Sequence, residues 1–148
     1  MKVIISCHVE PGFVYKMKIV PNKNIIGVVK GVSNLLKIVE EYNAKATLIV
    51  MPEVIEYIPK TMKHEVGLHL HPGWEESYLQ NRKKCIGDLY ILKKYPISIK
   101  STALRDFSFK EQLEMIKIGK ERIEEILGIE PKVFVAVSYT HLTLPTKA

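Results

Sequence analysis

The 148-residue chain has few cysteines and no long hydrophobic run. Its two cysteines, Cys7 and Cys85, form neither a disulfide framework nor a zinc knuckle. No window approaches the length of a membrane-spanning helix, and the residues after Met1 lack the basic, apolar and small-residue regions of a secretory signal. We therefore expect one domain at most, located in the cytoplasm and without a membrane partner.

The charge balance gives little support for nucleic-acid binding. The chain carries 22 basic and 16 acidic residues, which gives a net charge of +6. Its tight basic cluster, Arg82-Lys83-Lys84, is typical of a solvated helix face. A nucleic-acid surface would need a basic stripe, usually with interleaved aromatic residues. We expect no nucleic-acid partner.

Short apolar segments alternate with segments of helical period. Strands are predicted at residues 2–7, at 46–51, around the histidines that follow residue 64, and at 131–136. Helices are predicted at about 24–42, 52–57 and 108–127, the last opened by a capping box of Ser108 and Glu111 and closed by Gly128. This order predicts an α/β fold with a parallel sheet and right-handed crossovers.

The strand after residue 64 predicts a metal site. In its sequence, HEVGLHLHPGW, alternation places His69 and His71 on one face and the aliphatic residues on the other. Pro72-Gly73 then ends the strand. Histidine is the commonest metal ligand, and chemistry in parallel α/β folds lies at the carboxyl ends of strands. We expect both imidazoles to bind a divalent metal, with zinc first by ligand type.

The first strand delivers two further polar groups to the same edge. His8 and Glu10 share one parity, whereas Cys7 has the other and is expected to be a small buried residue. If Glu10 is a metal ligand, His8 would be the catalytic base; if Glu10 is the base, His8 completes the metal set. The alternative without a function is that His8 fills the strand end and that Glu10 is a solvated turn carboxylate or a cap. Trp74, beside the turn, either stacks on a ring of a bound substrate or packs over the strand end.

These motifs resemble the NodB-homology polysaccharide deacetylases. The similarity covers roughly residues 1–136 and is strongest at 64–73, "HEVGLHLHPG", and at 111–136, which end in "IEEILGIEPKVFVA". It implies a distorted (β/α) barrel, here a partial one, that hydrolyses N- or O-acetyl groups on sugars with a divalent metal, often zinc. His8 stands where the family has its base aspartate. His69 matches the first member of the family's histidine pair, and Gly73 stands at the place of the second, with His71 as the substitute.

Residues 137–148 are expected to be foreign to the domain. The segment is similar to a translated sequencing adapter, so we do not expect His141 to be a ligand, and we expect the native gene to continue past Ala136. The family's later arginine, aspartate and histidine motifs have no counterpart in the chain. The function expected from the resemblance is sugar deacetylation, with this fragment itself inactive. The alternatives are a non-catalytic sugar- or metal-binding relative, or a metal-dependent amidohydrolase acting on a small intracellular amide.

Overall fold

In the part of the chain that the structure describes, four parallel strands form one sheet that curls into a half-barrel. The computed structural model describes residues 4–10, 25–60, 63–70 and 104–136. The strands within these residues are β1 (Ile5–Val9), β2 (Ala46–Val50), β3 (Glu65–Leu70) and β4 (Phe134–Ala136). The α-helices are α1 (Val32–Glu41), which continues a π-helical turn at Gly27–Gly31, and α2 (Phe109–Leu127). Two 3₁₀ helices, Pro52–Tyr57 and Leu104–Asp106, complete the described elements.

The order of the strands in the sheet is their order in the chain. β1 pairs with β2, β2 with β3 and β3 with β4, always in parallel. The predicted α/β class with a parallel sheet is therefore confirmed. Two neighbouring parallel strands must be joined by a crossover connection. When every crossover has the same hand and the strand order does not reverse, the connecting helices all lie on the same face of the sheet.

One sheet face carries the core. Alternate residues of β2 and β3 share a single cluster with the inward faces of α1 and α2; its members include Leu48, Val50, Val66, Leu68, Val32, Leu36, Met115 and Ile123. Helix α2 comes so close to β3 that a Cβ built on Gly119 would lie 2.7 Å from Cδ1 of Leu68. The opposite face, which carries Glu65, Gly67 and His69, is the concave inside of the half-barrel.

The helix ends follow the local sequence signals. The hydroxyl of Ser108 accepts from the Glu111 N–H while the Glu111 carboxylate accepts from the Ser108 N–H, so the predicted capping box is present. Gly128 ends α2 with φ at 69°, in the left-handed region that glycine adopts without strain. Asn43, predicted to end the first helix, has φ at 50°.

Several predicted boundaries were displaced. The first strand is Ile5–Val9 instead of residues 2–7, and the fourth is Phe134–Ala136 instead of 131–136. The later start of β4 agrees with Pro131, which has no N–H to give to a ladder. His71, Trp74 and Arg82–Lys84 lie outside the described residues, as do Cys85 and residues 137–148. None of the helices in the described ranges is long and apolar enough to span a membrane.

Candidate functional site

His8 of β1 and His69 of β3 meet on the concave face. Their ring centroids are 4.7 Å apart, and the rings are tilted by 37°. β2 lies between these two strands, and strands two places apart in a flat sheet are separated by roughly 9.5 Å. The contact therefore reflects the curl of the sheet, since side chains from alternate strands share a layer inside a barrel.

A glycine makes room below the two rings. Register pairs His8 with Ile49 of β2, and Ile49 with Gly67 of β3. A Cβ built on Gly67 would lie 3.1 Å from Cδ1 of Ile49 and 2.8 Å from the carbonyl oxygen of Val133. Gly67 thus lets the Ile49 side chain and the backbone before β4 approach β3 closely, one layer beneath His69.

The His69 ring is buried and held in one orientation. Only 1% of the residue is exposed. Its Nδ1 atom lies 2.9 Å from the carbonyl oxygen of Val135, and because a carbonyl can only accept, Nδ1 carries the proton and donates it. The other ring nitrogen, Nε2, lies 3.5 Å from Oε2 of Glu10. When the ring is neutral, two electron-pair donors therefore face each other.

This pair is compatible with part of a metal site. Two ligands of a tetrahedral zinc ion, each about 2.0–2.1 Å from it, lie about 3.4 Å apart, close to the separation of His69 Nε2 and Glu10 Oε2. Metal-binding histidines commonly donate their second N–H to a backbone carbonyl, as His69 does. Within the described ranges, no three His, Cys, Asp or Glu side chains are arranged to hold a metal. A full set would need a further ligand such as His71, which lies outside those ranges.

Glu53 is a candidate site residue that the sequence interpretation missed. It lies in the first turn of the Pro52–Tyr57 helix, directly beyond the carboxyl end of β2. Burial raises the pKa of its carboxyl group to about 7. A hydrogen bond from its own backbone N–H and the charge on His69 lower this pKa, but by less than burial raises it. Its Oε2 atom is buried without a hydrogen-bond partner in the described structure. The sequence did contain a signal for Glu53, because a carboxylate that directly follows a buried strand was also the reason for selecting Glu10.

Two other polar groups of the sheet lie outside the site. Cys7 packs against the core on the face that its parity predicted, but it is only half-buried; this burial raises the pKa of its thiol. His64 lies at the amino end of β3, opposite the site. Its Nδ1 accepts from the Ala46 N–H at 3.2 Å, so its Nε2 carries the proton toward Oε1 of Glu40, also at 3.2 Å. His64 therefore has a structural role.

The structure thus brings together His8, Glu10 and His69 of the sequence-predicted site residues. Glu53 lies beyond the carboxyl end of the neighbouring strand β2. His71 and Trp74 lie outside the described residues. Comparisons of the chain with protein-family models, with curated proteins and with solved structures found no match.

Proposed function

We propose that this chain is part of a metal-dependent hydrolase that removes acetyl groups from N- or O-acetylated sugars, built as a partial (β/α) barrel of the deacetylase type. The observation that carries the proposal is the His69–Glu10 pair, with His8 against it, at the carboxyl edge of a parallel sheet. The resemblance of residues 64–73 to the deacetylases supports the same chemistry.

A divalent metal, zinc first, would supply Lewis-acid polarisation of the acyl oxygen and a water of lowered pKa. His69 would hold the metal through Nε2, because its Nδ1 proton is engaged by Val135. The roles of His8 and Glu10 stay coupled: one acts as the base that takes a proton from water, and the other completes the metal set.

Glu53 supplies what the other three residues lack, a group suited to donate a proton. With its pKa raised to about 7, the carboxyl group is largely protonated at slightly acidic pH and about half protonated at neutral pH. A protonated carboxyl beside the site would transfer its proton to the departing amine or alkoxide as the acyl bond breaks. We therefore assign Glu53 the role of general acid within this proposal.

The experiment is acetate release by the full-length gene product, measured with and without added zinc after treatment with a chelator. N-acetylated sugars, O-acetylated sugars and a small N-acetylated amine without a sugar form the three substrate arms. The proposal expects zinc-dependent acetate release from a sugar arm. Release from the amine alone would favour the small-amide hydrolase. Sugar or zinc binding without acetate release would favour a non-catalytic relative, consistent with His8 standing at the place of the base aspartate.

A further inference from the structure

A lysine-lined cavity opens at the other end of the sheet from the candidate site. Its volume is about 400 Å³, and it is lined by residues of α1 and by Pro59, Lys60 and Lys63. Three ammonium side chains line it, those of Lys37 in α1, Lys60 and Lys63. A second cavity of about 320 Å³ shares Lys63 and Glu40 with it and adds Lys45. Four lysines therefore surround two adjoining spaces.

The carboxylate in these linings is already engaged. Glu40 is bound by His64 Nε2 at 3.2 Å and by Lys63 Nζ at 3.4 Å. Because His64 is fixed in turn by the Ala46 N–H, the Glu40 carboxylate is held against the sheet end and neutralises Lys63. Glu40 is the one acid among the described lining residues. The positive charges of Lys37, Lys45 and Lys60 are therefore not balanced by another residue of the cavity lining.

Lys37 and Lys60 make no ion pair with any other described residue. Both are exposed, and both line the larger cavity. The hydroxyl of Ser33, also in the lining, donates to the carbonyl oxygen of Val29 at 2.9 Å, so its proton is not available to an anion. Recognition would therefore depend on the ammonium groups, which bind phosphate as point charges.

From this arrangement we propose that the cavity lined by Lys37, Lys60 and Lys63 binds the phosphate group of a small molecule. The two uncompensated ammonium groups of Lys37 and Lys60 match the charge of a phosphate dianion. A ligand with a single carboxylate would leave one of the two ammonium groups unpaired. The cavity volume falls in the range that small-molecule sites occupy. The proposal is independent of the deacetylase assignment, because it concerns the opposite end of the strands.

The test is calorimetric titration of the full chain with inorganic phosphate and with pyrophosphate at constant ionic strength. Sodium acetate serves as the monovalent comparison. The test variant is K37Q/K60Q, and the matched control is K110Q/K117Q, which removes the same charge from exposed positions on α2. The proposal expects the test variant to weaken phosphate binding by about tenfold and the control to change it by less than about twofold.

Several results would overturn the proposal. They are no detectable phosphate binding up to about 10 mM, equal weakening in both double variants, or acetate binding as tight as phosphate binding. Sedimentation with vesicles that contain phosphoinositide separates a lipid headgroup from a free phosphate compound. Lysine-dependent binding to vesicles without binding of free phosphate would also contradict the proposal. All four substituted lysines are exposed, so matching thermal unfolding of the variants is expected and would show that folding is intact.

Discussion

The Nδ1 atom of His69 donates to the carbonyl oxygen of Val135 over 2.9 Å. These two residues are register partners across β3 and β4 and lie 66 positions apart in the chain. The bond selects which ring nitrogen keeps a free electron pair, and that nitrogen is the one that faces Glu10. The carbonyl of Val135 in β4 thus determines that His69 in β3 presents the electron pair of Nε2 to the candidate site.

The first prediction separates the two nitrogens of His69. In H69N the amide nitrogen takes the place of Nδ1 and keeps the bond to Val135, whereas the atom that faces Glu10 is lost. We expect this variant to stay folded and to lose most of its zinc binding, measured by calorimetry and by metal content. Because metal ligands must be deprotonated, zinc affinity of the unsubstituted protein should also fall as the pH is lowered.

The control is the same substitution at the other end of β3. In H64N the amide oxygen takes the place of the Nδ1 that accepts from Ala46, and the site is untouched. This variant should retain zinc. Undiminished metal content in H69N, or equal loss in both variants, would refute the assignment of His69.

The second prediction concerns Glu53 and pH. Its pKa is raised from 4.5 to about 7 in the folded chain, so the folded state holds the proton more tightly than the unfolded state. The stability that this group contributes is present below pH 4.5 and is lost as the pH rises through 7. At 1.36 kcal/mol per unit, the loss amounts to at most about 3 kcal/mol.

The variant E53Q cannot ionise and should escape that loss. Its free energy of unfolding relative to the unsubstituted protein should therefore rise between pH 5 and pH 8, measured by urea titration in the presence of a chelator. E41Q is the control, because Glu41 is exposed at the end of α1. Parallel pH profiles of E53Q and the unsubstituted protein would show that Glu53 ionises normally.

The contrast between His69 and Glu53 shows what the sequence can predict here. Strand parity placed His8 and Glu10 on one face of β1 and His69 on one face of β3, because alternation is a property of a few neighbouring residues. Parallel order then brought the carboxyl ends of the strands to one edge. Glu53 follows its strand in a 3₁₀ helix, where period-two parity no longer applies. Its burial depends on packing between distant parts of the chain, which a local pattern does not encode.

The third prediction tests the close approach at Gly67. In G67A the new methyl group would lie 2.8 Å from the Val133 carbonyl oxygen, which is backbone and cannot rotate away. That oxygen also accepts from the Leu68 N–H at 2.8 Å. We expect a loss of about 2–4 kcal/mol in unfolding free energy, together with weaker zinc binding as β4 moves relative to His69.

A suitable control is G31A. Gly31 has helical backbone angles, with φ at −64°, and a Cβ there would meet no atom within 4 Å. Alanine should be neutral at this position or stabilise the helix by up to about 1 kcal/mol. Equal stability of G67A and G31A would show that β3 and β4 can separate without cost.

The last prediction concerns the buried histidine at the opposite end of β3. His64 satisfies the backbone N–H of Ala46, whereas register pairing between β2 and β3 begins one residue later, at Thr47 and Glu65. In H64A that N–H loses its side-chain acceptor and a cavity replaces the ring, so we expect a loss of about 2–4 kcal/mol in urea unfolding. E40A should cost less than about 1 kcal/mol, because Glu40 is 40% exposed and water can replace it. If E40A proves as costly as H64A, the ion pair, and not the hydrogen bond to Ala46, would be what stabilises this end of the sheet.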